Sequence, residues 1–126
     1  MLQLDYKSGV PICDQIVNGF IRLKALGVLK GGDQLPSVRA LASRLAVNPN
    51  TVQKAYAMLE SSGIIYSVKG KGSFLSDDDQ AHNAVKQSAI NAFRSAVLAA
   101  RELGLEPTEL KNIIVEVSKE GGKAND

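Results

Sequence analysis

The chain of 126 residues is sparing with several residue types, and each scarcity removes a class of protein. Cysteine occurs once, at Cys13, and histidine once, at His82; tryptophan is absent and aromatics make up 5% of the residues. A lone cysteine rules out an internal disulfide framework and fits a reducing compartment. So few aromatics leave little surface on which single-stranded bases could stack. No apolar run approaches the roughly 18 residues that span a bilayer. The start, Met1-Leu2-Gln3-Leu4-Asp5, lacks the basic region and apolar block of a secretion signal. A cytoplasmic protein with no membrane partner is expected. No clustered His, Cys or acid spacing suggests a metal site, and nothing calls for a cofactor. The run Gly70-Lys71-Gly72-Ser73 lacks the spacing G-x-x-x-x-G-K-[ST] of a phosphate-cradling loop and does not open a helix. These absences argue against an enzyme.

Charge is present but unevenly placed. The net charge is +2. Residues 1–76 hold nine Lys and Arg against four acids, a surplus of five, whereas residues 77–126 hold six against nine, a deficit of three. The basic part points to a polyanionic partner. The acidic part would be repelled by the same partner and must do something else.

The pattern of caps and apolar positions predicts mainly α structure with a small β-hairpin. Residues 1–10 read as an extended lead-in. Pro11 opens a first helix whose Ile12, Ile16, Val17, Phe20 and Leu23 recur at helical spacing, and Gly27 stops it. The segment from Gly31 to Pro36 can hold a small edge strand. Ser37 caps a second helix with Val38, Leu41, Ala42 and Leu45 inward. Asn48 and Pro49 open a third, with Val52, Ala55, Tyr56 and Leu59 inward, and Gly63 closes it. Ile64–Val68, a turn over Lys69–Gly72 and Ser73–Leu75 then read as a hairpin. Ser76–Gln80 read as a polar linker and also as a helix start, since acids favour a helix N-terminus, with His82 in the same polar linker region; a long helix follows to about Leu103, and Gly104 breaks it. Thr108 caps a last helix, and Gly121–Asp126 read as a frayed tail. The expected division is residues 1–76 and residues 77–126.

Two helices joined by a short turn and followed by a basic hairpin form a device for holding one helix against DNA. Asn50 and Gln53, on the outer face of the third helix, are amides able to offer a donor and an acceptor to adenine. Thr51 and Lys54 suit phosphate or mixed contacts, and Asn48 can face the DNA backbone while capping. Ser37, Arg39 and Arg44 stand on the preceding helix, the arginines as planar donors to phosphate or guanine. In the hairpin turn Gly70 and Gly72 permit close approach, Lys69 and Lys71 bring charge, and Ser73 a hydroxyl. Taken singly, each feature has an ordinary explanation: a cap, a solvated helix face, an arginine paired with a nearby acid. Their succession in this order is what points to DNA.

That order also carries a specific resemblance. Gly32-Asp33-Gln34-Leu35-Pro36-Ser37-Val38-Arg39-Ala40-Leu41-Ala42, Val47-Asn48-Pro49-Asn50-Thr51-Val52-Gln53-Lys54-Ala55-Tyr56, Leu59-Glu60-Ser61-Ser62-Gly63 and Gly70-Lys71-Gly72-Ser73-Phe74 resemble the signature of the GntR family of bacterial transcription regulators. The resemblance covers about residues 9–76. It implies a winged helix–turn–helix that binds operator double-stranded DNA as a dimer, with Arg39, the Asn48–Lys54 stretch and the Lys69–Gly72 tip at the DNA. Many members have arginine or lysine where Pro49 and Gln53 stand here, which bears on base preference. The short C-terminal part resembles the YtrA-type branch, in which two helices replace a large effector domain.

The tail argues for pairing on its own terms. Its two helices present Val85, Ala89, Ala92, Phe93, Ala96, Val97, Ala100 and Leu103, then Leu110, Ile113, Ile114 and Val117. So small a unit cannot bury two continuous apolar faces alone. A C-terminal two-helix dimerisation segment, and hence a homodimer on an inverted-repeat operator, is expected. A regulator also needs an input; an unidentified small-molecule effector, lodged between the tail helices and the winged part or at the dimer interface, is the candidate, though no compact effector domain is visible. The competing reading is a winged-helix module for protein or RNA.

Overall fold

The second and third predicted helices form where a side-chain cap and an apolar stripe coincide. The computed structural model describes the backbone of residues 2–125 and the side chains through Glu120. Helix α1, Ile12–Ala25, follows Pro11 and buries Cys13, Ile16, Phe20 and Leu23 on one stripe. It gives way at Gly27, whose φ of +76° a side chain would resist. Helix α2, Val38–Leu45, is capped by Ser37, whose Oγ accepts a hydrogen bond from the Ala40 amide at 3.1 Å. Helix α3, Pro49–Ser61, is capped by Asn48, whose Oδ1 accepts from the Asn50 amide at 2.8 Å. Strands β1, Ile65–Val68, and β2, Gly72–Leu75, pair antiparallel with Ile65 opposite Leu75 and Val68 opposite Gly72. Gly72, read from the sequence as part of the turn, therefore belongs to the ladder, and the loop shrinks to Lys69–Lys71.

The core lies where α3 packs on α1 and α2 and meets β1. Phe20, Ile16, Val52, Leu59, Ile64 and Leu75 are fully buried there, each burial contributing about 1.5–3 kcal/mol. The Phe20 and Tyr56 rings meet edge to face, with centroids 5.9 Å apart. Tyr56 also donates its hydroxyl to the Pro36 carbonyl at 2.6 Å, tying α3 to the segment that enters α2; burial pushes this phenol far above its ordinary range. That entry segment forms a single isolated bridge beside β2, not a full edge strand: Gln34 bridges Phe74, the Leu35 amide reaches Ser73 O at 2.9 Å, and Asp33 O accepts from the Leu75 amide at 2.8 Å.

Two expectations are corrected in and around this unit. The lead-in is not extended: turns follow Asp5, and the Gln15 amide side chain gathers the segment by bonding Asp5 O at 2.7 Å and Val10 O at 2.9 Å. His82 does not lie in a linker. Helix α4, Asp79–Glu102, begins before it, and His82 is 6% exposed on its first turn. Around it the Ala81 methyl lies against Gly63, and Lys24 pairs with Asp79 at 3.7 Å. Burial first, and then the Lys24 ammonium, hold the His82 pKa below its ordinary value, against the opposing pull of a Ser76 backbone hydrogen bond and the Asp79 and Asp78 carboxylates. The chain accordingly divides into compact units at Met1–Asn83 and Ala84–Asp126, and the first turn of α4 belongs to the first unit.

The second unit is the remainder of α4 and α5, Pro107–Asn125. Gly104, at φ +92°, ends the turn out of α4, and Arg101 braces it by bonding Leu105 O and the Glu106 carboxylate, each at 3.1 Å. Pro107, not a Thr108 cap, sets the start of α5. Proline has no amide to satisfy in a first turn, and the first ladder bond runs from Leu110 N to Glu106 O at 3.1 Å. The helix continues through Asn125, where a frayed tail was expected from Gly121; Asp126 lies outside the described residues.

Candidate nucleic-acid interface

Helix α3 buries Val52, Ala55, Tyr56 and Leu59. With about 3.6 residues per turn, this turns Asn50, Gln53 and Ala57 outward as one ridge. All three are exposed, and Ala57 keeps the ridge low behind the two amides. Thr51 is half-buried at its edge. Lys54 lies toward the flank of α3 that meets α1, near enough to Cys13 for its ammonium to oppose the rise that burial imposes on the thiol pKa. One turn on, Met58 Sδ lies 3.3 Å from Cys13 Sγ on the same flank. Lys54 is thus placed beside the amide ridge, not on it.

The helix caps occupy two of the predicted contact side chains. Ser37 Oγ and Asn48 Oδ1 each hold a backbone amide, which leaves the Ser37 hydroxyl proton and the Asn48 Nδ2 hydrogens to face outward. Arg39 and Arg44 on α2 are exposed, as are Lys69, Gly70, Lys71 and Gly72, while Ser73 is half-buried. The ion pairs among the described residues are Lys24 with Asp79 and Arg101 with Glu106. None of Arg39, Arg44, Lys54, Lys69 and Lys71 is committed to an acid there. The simple alternative for Arg39, a local salt bridge, is therefore not what the structure contains. Unpaired cations at an exposed face keep their full charge for phosphate.

At the hairpin tip the Lys71 amide donates to Val68 O at 2.9 Å, closing a turn whose third residue, Gly70, has φ +77°. That sign at that position fits a type II turn and favours glycine. Two lysines therefore flank a glycine on a narrow protrusion. Behind it Tyr66 and Phe74 stack across the strands, with ring centroids 5.7 Å apart. One supporting residue escaped the sequence reading: Gln34, whose Nε2 donates to Lys71 O at 2.7 Å. Its only signal was its place in the Gly32–Pro36 run, which gives no hint of a contact so far along the chain.

Comparison with known proteins adds to this geometry. The sequence pattern of the bacterial regulatory proteins of the gntR family matches residues 22–75. Over the full length of both chains, the protein is 37% identical to the HTH-type transcriptional repressor YtrA of Bacillus subtilis. The chain belongs to the gntR family of bacterial regulatory proteins. Among solved structures, this GntR chain is similar to a transcriptional antiterminator from Listeria monocytogenes, with a TM-score of 0.77 and 35% identity over 94% of this chain and 90% of that one. It is similar also to the AraR DBD in complex with operator ORX1, with a TM-score of 0.50 and 27% identity over 53% of this chain and 81% of that one. The GntR chain is a transcriptional regulator whose first unit is a DNA-binding winged helix: α2 and α3 are the helix–turn–helix, and β1 and β2 are the wing.

In the tail, Phe93, Ala96, Val97 and Ala100 of α4 face Leu110, Ile113, Ile114 and Val117 of α5 across an apolar groove of about 470 Å³. Leu105, from the turn, completes its end; Leu103, expected on this apolar face, is 84% exposed and outside the groove. Val85, Ala89 and Ala92 also lie outside it, Val85 half-buried and the two alanines exposed. Among the described residues no helix is long and apolar enough to cross a membrane.

Proposed function

We propose that the chain is a cytoplasmic repressor that binds an inverted-repeat operator as a homodimer. The observation that carries the reading is the outer ridge of α3, where Asn50 and Gln53 stand exposed, in a unit whose α2 and wing also expose cations committed to no acid. Amides on the first turns of such a helix can pair with adenine in the major groove, and the flanking cations neutralise phosphate. Arg39, Arg44, Ser37, Asn48, Thr51 and Lys54 anchor the helix; Lys69 and Lys71 carry the wing tip into the neighbouring groove, where Gly70, Gly72 and Ser73 allow close approach. Repression follows the name of the Bacillus subtilis relative, and operator binding is consistent with the AraR complex.

Pairing is supported by the apolar groove in the tail, whose walls leave Phe93, Ile113 and Ile114 between 41% and 47% exposed. Two copies joined there would carry two reading heads to half-sites about one DNA turn, roughly 10 base pairs, apart or at a multiple of it. An unidentified small molecule lodged at the paired tails would be the input. A ligand screen by thermal shift should then reveal a change in melting temperature, and a silent screen would count against it. The main test is a gel shift and footprint on DNA upstream of the encoding gene, with light scattering on the same sample. Protection of two symmetric half-sites by a two-chain particle is expected. A one-chain mass at micromolar concentration, or equal affinity for unrelated duplexes, would remove the proposal.

A further inference from the structure

The wing is a two-stranded hairpin, and such a hairpin is marginal alone in water. Its last paired residues are Val68 and Gly72, so Lys69, Gly70 and Lys71 project beyond the ladder. One turn bond, Lys71 N to Val68 O, closes the tip from within. A second bond reaches it from outside the hairpin: Gln34 Nε2 donates to Lys71 O at 2.7 Å. The fit is close. A Cβ built at Gly72 would lie 2.9 Å from that same Nε2, so the glycine leaves the space the amide occupies. Gln34 is also fixed at its own backbone, by its bridge to Phe74. Two residues on, Pro36 O accepts the Tyr56 hydroxyl of α3 at 2.6 Å. The run Gln34–Leu35–Pro36 therefore joins the wing tip at one end to the reading helix at the other.

We infer that Gln34 is a positioning residue that sets the wing tip relative to α3 before DNA arrives. The inference rests on the reading of Lys69 and Lys71 as phosphate contacts. Its side chain is exposed and adds nothing to the core. The strut acts by removing freedom from two lysines that would otherwise have to be ordered on binding.

The experiment combines Gln34→Ala with a Lys69→Ala/Lys71→Ala variant in a double-mutant cycle, read as operator affinity against salt. Gln34→Ala alone should weaken operator binding roughly two- to tenfold, the cost of ordering on the DNA a tip that the strut no longer holds. It should also reduce the salt slope, with the urea midpoint unchanged. In the lysine-free background it should do nothing further, because its effect passes through the tip. In the free protein, amide relaxation at Lys69–Lys71 should report a more mobile tip in Gln34→Ala, which a merely structural role would not produce with stability intact. Unchanged affinity of Gln34→Ala, or an equal loss with and without the lysines, overturns the strut while leaving the wing reading standing. Wild-type binding by the lysine-free variant overturns both.

Discussion

The first unit and the tail contain comparable helices, but one closes on itself and the other does not. Every buried apolar residue of the described chain lies between Cys13 and Leu75. From Ala84 to Glu120 no side chain is buried, and Phe93, Leu98, Ile113, Ile114 and Val117 are each more than two-fifths exposed. The difference is not one of apolar content. It is geometric: α3 has α1, α2 and the hairpin around it, whereas α4 and α5 leave an open groove between Phe93–Ala100 and Leu110–Ser118. A helix pair has one seam, and a second apolar face needs another partner. The first unit is thus built to present a polar ridge from a finished core, and the tail to present an unfinished core.

The largest effect is expected in the tail. Leu110→Asp with Ile114→Asp places two carboxylates in the groove. Light scattering should then return one chain, and operator affinity should fall by at least about 100-fold as the second head is lost, with the first unit's own unfolding unchanged. A persistent two-chain mass would show that the groove is not the seam. Next in size, Gln53→Ala should remove about 1–3 kcal/mol of discrimination between operator and a site altered at one base pair, measured by competition binding, with the mass unchanged. In the core, Tyr56→Phe leaves Pro36 O without its hydroxyl partner. A loss of about 1–2 kcal/mol in urea unfolding is expected, without any change in tail pairing. A smaller effect is expected at the wing: Lys71→Ala should lower the slope of log affinity against log salt by about one per chain and leave base preference intact.

The smallest effect concerns His82, and its sign is fixed by its surroundings. The folded state holds this imidazole below its ordinary pKa of 6.5 through burial and Lys24, so the unfolded chain binds the proton more readily. The stabilisation is therefore complete above about pH 6.5 and is lost as the pH falls through the lowered folded value. His82→Leu should flatten the melting temperature between pH 7.5 and pH 5 relative to wild type. Parallel curves would mean that His82 is not what senses acid there.

The helices of the first unit were legible because their limits are written in neighbouring residues. Ser37, Asn48 with Pro49, and Gly63 are caps whose chemistry works within a few positions, and each stands where it was read. Pro107 shows how a local signal can still be misassigned: the following threonine is a good cap in isolation, but a proline already supplied the first turn. The outer ridge of α3 followed from the inward stripe. Contacts that join distant parts of the chain were not legible. Nothing in the residues around His82 reveals that Lys24 and Gly63 wait for the start of α4, and nothing near Gln34 announces Lys71. A polar side chain in a loop has many places to go, and only the folded chain chooses among them.

The open groove between α4 and α5 has a consequence for dosage. On the proposed pairing, the species that grips an operator forms in proportion to the square of chain abundance when chains are scarce. Halving expression would then quarter the active particles, and control of target genes would switch over a narrower range than a single-chain regulator allows. A cell could silence or release its targets by modest changes in synthesis of this one polypeptide, with the unfinished tail serving as the counter.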